Sequence, residues 1–198
     1  MSTSRCLLVT ALAMGALLSG CAHQVAAPGQ TGAEVQARTP PPQARYSGPW
    51  DGRMSLKLAA FGQEAAKGVQ VTFNLDGTPT KGTLDLSTPL GTRMASVQWH
   101  ERMAVLRTAD GERPFDSLDE LTSHVLGEAL PVQALMAWLE GGPAPDQPWQ
   151  GQPEGNWQQF TQAGWQVDLR ERSNGYIDAQ RPADSSRRGV TLRVRIDR

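Results

Sequence analysis

From Arg53 onward, apolar and polar positions alternate along much of the chain. Met54, Leu56 and Leu58 alternate with Arg53, Ser55 and Lys57, and Val69, Val71, Phe73 and Leu75 with Gly68, Gln70, Thr72 and Asn74. Leu84 and Leu86 flank Asp85, and Ala95, Val97 and Trp99 alternate with Ser96 and Gln98. Residues 103–108 form another short run. Near the end, Trp165, Val167 and Leu169 alternate with Gln166, Asp168 and Arg170, and Val190, Leu192, Val194 and Ile196 with Thr191, Arg193, Arg195 and Asp197. A period of two sends successive side chains to opposite faces of a sheet. These segments therefore predict antiparallel strands with one buried and one solvated face. Asp76-Gly77, Asp110-Gly111 and Asn174-Gly175 supply turn signals between them.

The period changes in the middle. Ser117-Leu118-Asp119-Glu120 reads as a capping box, Leu118, Leu121 and Val125 share one helical face, and Gly127 is a stop. Pro131 suits the first turn of a second helix, striped by Val132, Leu135, Met136 and Leu139 with Trp138 beside them, and Gly141-Gly142-Pro143 ends it. Two helices interrupting a strand-rich chain predict a strongly bent sheet with helices over its open face, which buries both apolar sets.

The first 45 residues follow neither period. Arg5 precedes a mostly apolar run, residues 6–18, that is too short to span a bilayer, so residues 1–20 read as a secretory signal. The run ends Leu18-Ser19-Gly20-Cys21, which resembles the bacterial lipobox. That resemblance implies diacylglycerol on the Cys21 thiol and cleavage before it. Two or more acyl chains anchor a protein stably. Ala22 follows, where Asp is the inner-membrane retention signal, so export to the outer membrane is expected. Residues 22–45, rich in Ala, Gln, Pro, Gly and Thr, read as a disordered tether. It would reach ~80 Å stretched and ~25–30 Å relaxed. The domain plan is therefore signal 1–20, lipidated Cys21 and tether 21–45, and a folded body 46–198.

Composition narrows the classes. The 198 residues are 39% apolar and carry 20 glycines and 14 prolines, which suits one globular domain rich in turns. Nineteen basic residues against 20 acidic ones exclude a strongly basic nucleic-acid binder. Cys6 and Cys21 both lie in the N-terminal segment, so neither a disulfide scaffold nor a cysteine metal site is expected. His23, His100 and His124 fall in no catalytic or metal-binding spacing, and there is no nucleophile elbow or phosphate loop. Asp116, Asp119 and Glu120 sit where a helix N-terminus favours negative charge. Arg187, Arg188, Arg193 and Arg195 read as a solvated face, with an acidic partner or anionic headgroups as alternatives. The sequence makes no case for an enzyme, a cofactor or an oligomer, and a monomer is expected.

Two segments carry a family likeness: Leu84-Asp85-Leu86-Ser87-Thr88-Pro89-Leu90-Gly91, and Leu130 to Pro143 with its Leu-Pro-x-x-x-Leu-x-x-Trp-Leu-x-Gly-x-Pro pattern. With the lipobox, the tether and the Gly52-Arg53 strand opening, they resemble the LolB family of outer-membrane lipoprotein receptors across essentially the whole chain. Two departures are Asn74 after Phe73, where the family often has Trp, and the ending Ile196-Asp197-Arg198, where many members close on Trp. The resemblance implies an incomplete antiparallel barrel of about eleven strands, with helices as a lid over an apolar cavity. It also implies acceptance of lipoproteins from the periplasmic carrier LolA and insertion of their acyl chains into the outer membrane, without nucleotide.

Acyl chains need a cavity free of hydrogen-bond demand. Candidate lining residues are Leu56, Leu58, Val71, Phe73, Leu84, Leu86, Val97, Leu135, Trp138, Leu139, Leu192 and Val194, although any one of them taken singly reads more readily as plain core. The matching leucine of the family enters the membrane, which makes Pro89-Leu90-Gly91 the expected insertion loop. Read without the family, it is a turn with an exposed leucine. The alternatives to lipoprotein transfer are a lipid-anchored module for another lipid or glycolipid, and a structural lipoprotein with a filled core.

Overall fold

The alternating segments pair into one antiparallel sheet. The computed structural model describes residues 45–46, 48–151 and 157–197; the signal, Cys21 and nearly all of the tether lie outside them. Among the described residues there are eleven strands and two α-helices. The first meander is β1 (Trp50–Leu58), β2 (Lys67–Thr78), β3 (Lys81–Ser87), β4 (Arg93–His100), β5 (Met103–Thr108) and β6 (Gly111–Phe115). Helices α1 (Leu118–Leu126) and α2 (Val132–Glu140) follow. The second meander is β7 (Trp149–Gly151), β8 (Gln159–Gln162), β9 (Trp165–Asp168), β10 (Tyr176–Arg181) and β11 (Val190–Ile196). The order is β6-β5-β4-β3-β2-β1-β11-β10-β9-β8-β7, so β1 and β11 join the meanders and β6 and β7 are the outer strands. The sheet is open, an incomplete barrel with helices.

The β1–β11 register pairs Leu56 with Leu192 and Met54 with Val194, which aligns the apolar faces. A one-residue slip of either strand would send its inward set to solvent. Gly52 permits a close approach at this seam, because a Cβ there would sit 2.1 Å from the Arg195 carbonyl oxygen.

The turn expected at Asp76-Gly77 lies elsewhere. Both residues continue the β2–β3 ladder, opposite Thr83 and Gly82, and the chain reverses at Pro79-Thr80. Gly77 takes φ 129°, a conformation glycine adopts freely, so the ladder runs on for another two residues.

Helix α1 begins as its sequence predicts. The Ser117 side chain accepts from the Glu120 N–H at 3.0 Å, and Gly127 closes the helix in the left-handed region. The Glu120 carboxylate reaches back to the Asp116 N–H rather than to that of Ser117. Helix α2 buries Val132, Ala134, Met136, Ala137, Trp138 and Leu139, which leaves almost no solvated face. A helix apolar nearly all round belongs inside a core.

Gln162 fixes α2 to the second meander. This buried amide accepts from Trp138 Nε1 at 3.0 Å and from the Ala144 N–H at 2.9 Å, and donates to the carbonyls of Ala144 and Gln147. The Trp138 ring packs against Phe160 and Trp165, with centroids 6.5 and 6.1 Å apart. Gln162→Leu strands these partners in a dry interior, and each unsatisfied buried group costs roughly 1–3 kcal/mol. We expect the variant to lose about 2–5 kcal/mol in urea denaturation.

Candidate functional site

The concave face of the sheet and the two helices enclose a cavity of ≈160 Å³. Strands β1 to β5, β9 and β11 contribute their inward side chains, and α1, α2 and the link between them supply the cover. Every lining side chain except Thr122 is apolar. Its hydroxyl is already committed, donating to the Asp119 carbonyl at 3.2 Å and accepting from the Leu130 N–H at 3.0 Å. The cavity wall therefore offers a guest no free polar side chain. A filled interior is not what the structure contains.

Leu56, Val71, Phe73, Leu84, Leu86, Val97, Leu192 and Val194 from the strands, and Leu135 and Leu139 from the stripe of α2, lie on this wall. Leu58 and Trp138 do not. Leu58 is buried in the core at the end of β1, opposite Val190 and Lys67, and is not part of the wall. Trp138 turns its indole toward Gln162, because a buried N–H needs an acceptor and the cavity has none to give. The remaining lining residues follow the same inward register, such as Met54, Val69 and Trp165, or belong to the inner face of α1, the link and the start of α2. Val125 lines the cavity and is also half-exposed, which puts it at the rim.

The loop between β3 and β4 is a tight turn. The Gly91 N–H donates to the Thr88 carbonyl at 2.8 Å, and the Thr88 N–H to the Thr92 carbonyl at 2.8 Å. Pro89 restricts the backbone before Leu90, and Gly91 sits at φ 88°. The turn is short and internally hydrogen-bonded, so Leu90 cannot fold back onto the sheet. It is 96% exposed, and Met94 on the adjoining strand is half-exposed.

The family model described as outer membrane lipoprotein LolB matches residues 50–198. The chain belongs to the LolB family. An outer-membrane lipoprotein LolB of Bordetella petrii is 32% identical, covering 90% of this chain and 87% of that one. That of Cupriavidus pinatubonensis is 30% identical, covering 95% and 87%, and that of Chromobacterium violaceum 28%, covering 94% of each.

In this LolB-family fold, one feature of the cover had no local sequence signal. Glu128, in the link between α1 and α2, forms an ion pair with Arg181 at the end of β10 and lies 3.7 Å from Arg188 Nε. Arg188 also pairs with Glu64 in the β1–β2 loop. Both arginines are buried, and Arg181 lies over the Trp165 ring at 5.6 Å. Residues separated by 53 to 124 positions meet here, so spacing could not reveal the cluster. Arg188, expected on a solvated face, is instead enclosed, with the carboxylates of Glu64 and Glu128 beside its Nη2 and Nε offsetting the cost of burying its charge. The cluster ties the helical cover to the sheet at one end of the cavity.

Two measurements probe the site. Leu86→Trp should fill part of the cavity and weaken binding of a fluorescent fatty acid, while far-UV circular dichroism stays native. Removing roughly 50 Å² of apolar contact is worth about 1.3 kcal/mol, close to tenfold in Kd. Glu128→Ala leaves two buried guanidiniums without their shared carboxylate and should lower stability by about 3–5 kcal/mol in thermal or urea unfolding.

Proposed function

We propose that this chain is an outer-membrane lipoprotein receptor. It takes the acyl chains of client lipoproteins from a LolA-type periplasmic carrier and releases them into the outer membrane. The cavity carries this reading. Its wall is apolar and makes no hydrogen-bond demand, so it suits hydrocarbon and suits no polar small molecule. Membership of the LolB family, whose relatives are named outer-membrane lipoproteins, points the same way. The lipobox at Cys21 supplies the anchor, and residues 21–45 the tether, ahead of a body spanning 46–198.

The volume of the cavity constrains the mechanism. At ≈160 Å³ it is the size of an apolar cavity that admits a benzene-sized guest. A long acyl chain is several times larger, so loading requires α1 to move away from the sheet. Transfer then follows affinity. Burial is worth roughly 0.8 kcal/mol per CH₂, so small differences in accessible wall between carrier, receptor and bilayer set the direction without an energy source. No catalytic step enters. On release, Leu90 enters the bilayer first. The rigid turn holds it outward, so insertion costs little conformational entropy.

A carrier loaded with labelled lipoprotein, mixed with this protein and then with vesicles, tests the reading. Label should pass from carrier to receptor and on to the vesicles. Label remaining on the carrier beside folded receptor would refute the proposal. Leu90→Glu should keep stability within about 0.5 kcal/mol, accept label normally and fail to release it, because a carboxylate is costly to bring into hydrocarbon.

A further inference from the structure

The outward face of the β1–β11 seam carries charge that the transfer reading does not use. Arg53 on β1 lies directly opposite Arg195 on β11, and Arg193 occupies the same face two residues away, opposite Ser55. All three are exposed. Like charges facing each other across a ladder destabilise it. Neither Arg53 nor Arg195 forms an ion pair among the described residues. Arg195 lies over the Tyr176 ring at 5.8 Å, and Arg193 has the Asp178 carboxylate at 2.5 Å. Asp51, the next outward residue of β1, holds the Asn74 amide instead. Asp51 and Asp197 lie one step further along the same face, so the three guanidiniums cluster at one end of it, and Arg53 and Arg195 stay outside any ion pair there.

These arginines line a groove of ≈450 Å³ together with Tyr176, Thr72 and Pro89. Pro89 is the residue before the exposed Leu90, and the Thr72 hydroxyl lies 3.4 Å from the Ser87 and Thr88 carbonyls at the base of that turn. The basic groove and the apolar tip are thus parts of one continuous surface.

We propose that this groove seats the phosphates of anionic phospholipids while Leu90 enters the hydrocarbon beneath them. Guanidiniums match phosphate oxygens in pairs, and Tyr176 suits the bilayer interface, where its ring is apolar and its hydroxyl wet. The juxtaposition also accounts for an unfavourable arginine pair on an otherwise ordinary sheet face: the repulsion is relieved when a phosphate lies between the two charges. The proposal rests on Leu90 being the membrane-contacting residue, and adds the headgroup class that orients the body there.

The test reads docking of the body rather than anchoring. Full chain carrying its lipid is reconstituted into vesicles with an environment-sensitive NBD label on Leu90→Cys; the unsubstituted chain treated with the same dye sets the background. Vesicles are phosphatidylcholine alone, or phosphatidylcholine mixed with phosphatidylglycerol. The blue-shifted, membrane-inserted fraction should be larger with phosphatidylglycerol and fall as salt is raised. Arg53→Gln should reduce the docked-to-undocked ratio roughly fivefold. Arg53→Glu should reduce it further while raising the thermal midpoint, because a new cross-strand pair with Arg195 replaces repulsion. A merely structural Arg53 would not move the two readouts in opposite directions. If Arg53→Gln fails to fold, Arg195→Gln carries the same comparison. Equal blue shifts in both vesicles, unaffected by these substitutions, would overturn the groove and leave the Leu90 reading intact. No blue shift in either vesicle would overturn both.

Discussion

The pairing of β1 with β11 makes one sheet out of two meanders. Every other neighbouring pair in the sheet is consecutive in sequence; this one joins the first strand to the last. Once it forms, β6 and β7 become the two outer strands, and the segment between them, which holds α1 and α2, has to travel from one rim to the other. A right-twisted sheet of eleven strands curls, and the apolar residues of β1, β2 and β11 all face inward. The helices therefore cross the hollow side. The cavity and its cover follow from that single non-local pairing, and Gly52 is what lets the two backbones meet there.

The cover is held by two unlike means. On the α2 side, Gln162 satisfies an indole, an amide and two carbonyls in a dry setting, and Arg172 donates from Nε to the Leu139 carbonyl at 2.7 Å near the helix end. On the link between the helices, Leu130 and Pro131 face the cavity and Glu128 adds an ionic tie to two buried arginines. Helix α1 itself buries only Leu118, Leu121 and Thr122. So α2 is part of the core, whereas α1 rests on it. That division favours α1 as the part that moves when the cavity opens.

Much of this was legible along the chain because most strands bury alternate residues and most helix ends carry their own caps. Strands β1 to β5, β9 and β11 and both helices declared themselves in that way. Four strands did not, each for a reason. In β6 only Phe115 is buried, and Pro114 suits an outer strand that needs no donor on one side. Strand β7 is three exposed residues. In β8 and β10 the inward row contains Gln162 and Arg181, polar groups made tolerable by partners far away in sequence. The same limit governs the site. Eight cavity residues could be read from inward register and Leu135 and Leu139 from a helical stripe, but Trp138 looked like lining because its need for an acceptor, met by Gln162, is invisible in a linear pattern. The loop at Leu90 shows the reverse case. Its exposure follows from local turn chemistry, while its meaning required the family.

The sheet is open, with β6 and β7 each paired on one side among the described residues. A closed barrel can enlarge its interior only by shearing or breaking ladder hydrogen bonds, which couples every strand to every other. An open sheet changes its curvature instead, by small increments of twist spread over many strand pairs, with each ladder intact. Its mechanical compliance is accordingly high in one direction, rim from rim, and low along the strands. The container is elastic where its contents vary in girth, so guests with different numbers of chains meet a graded resistance rather than a fixed bore.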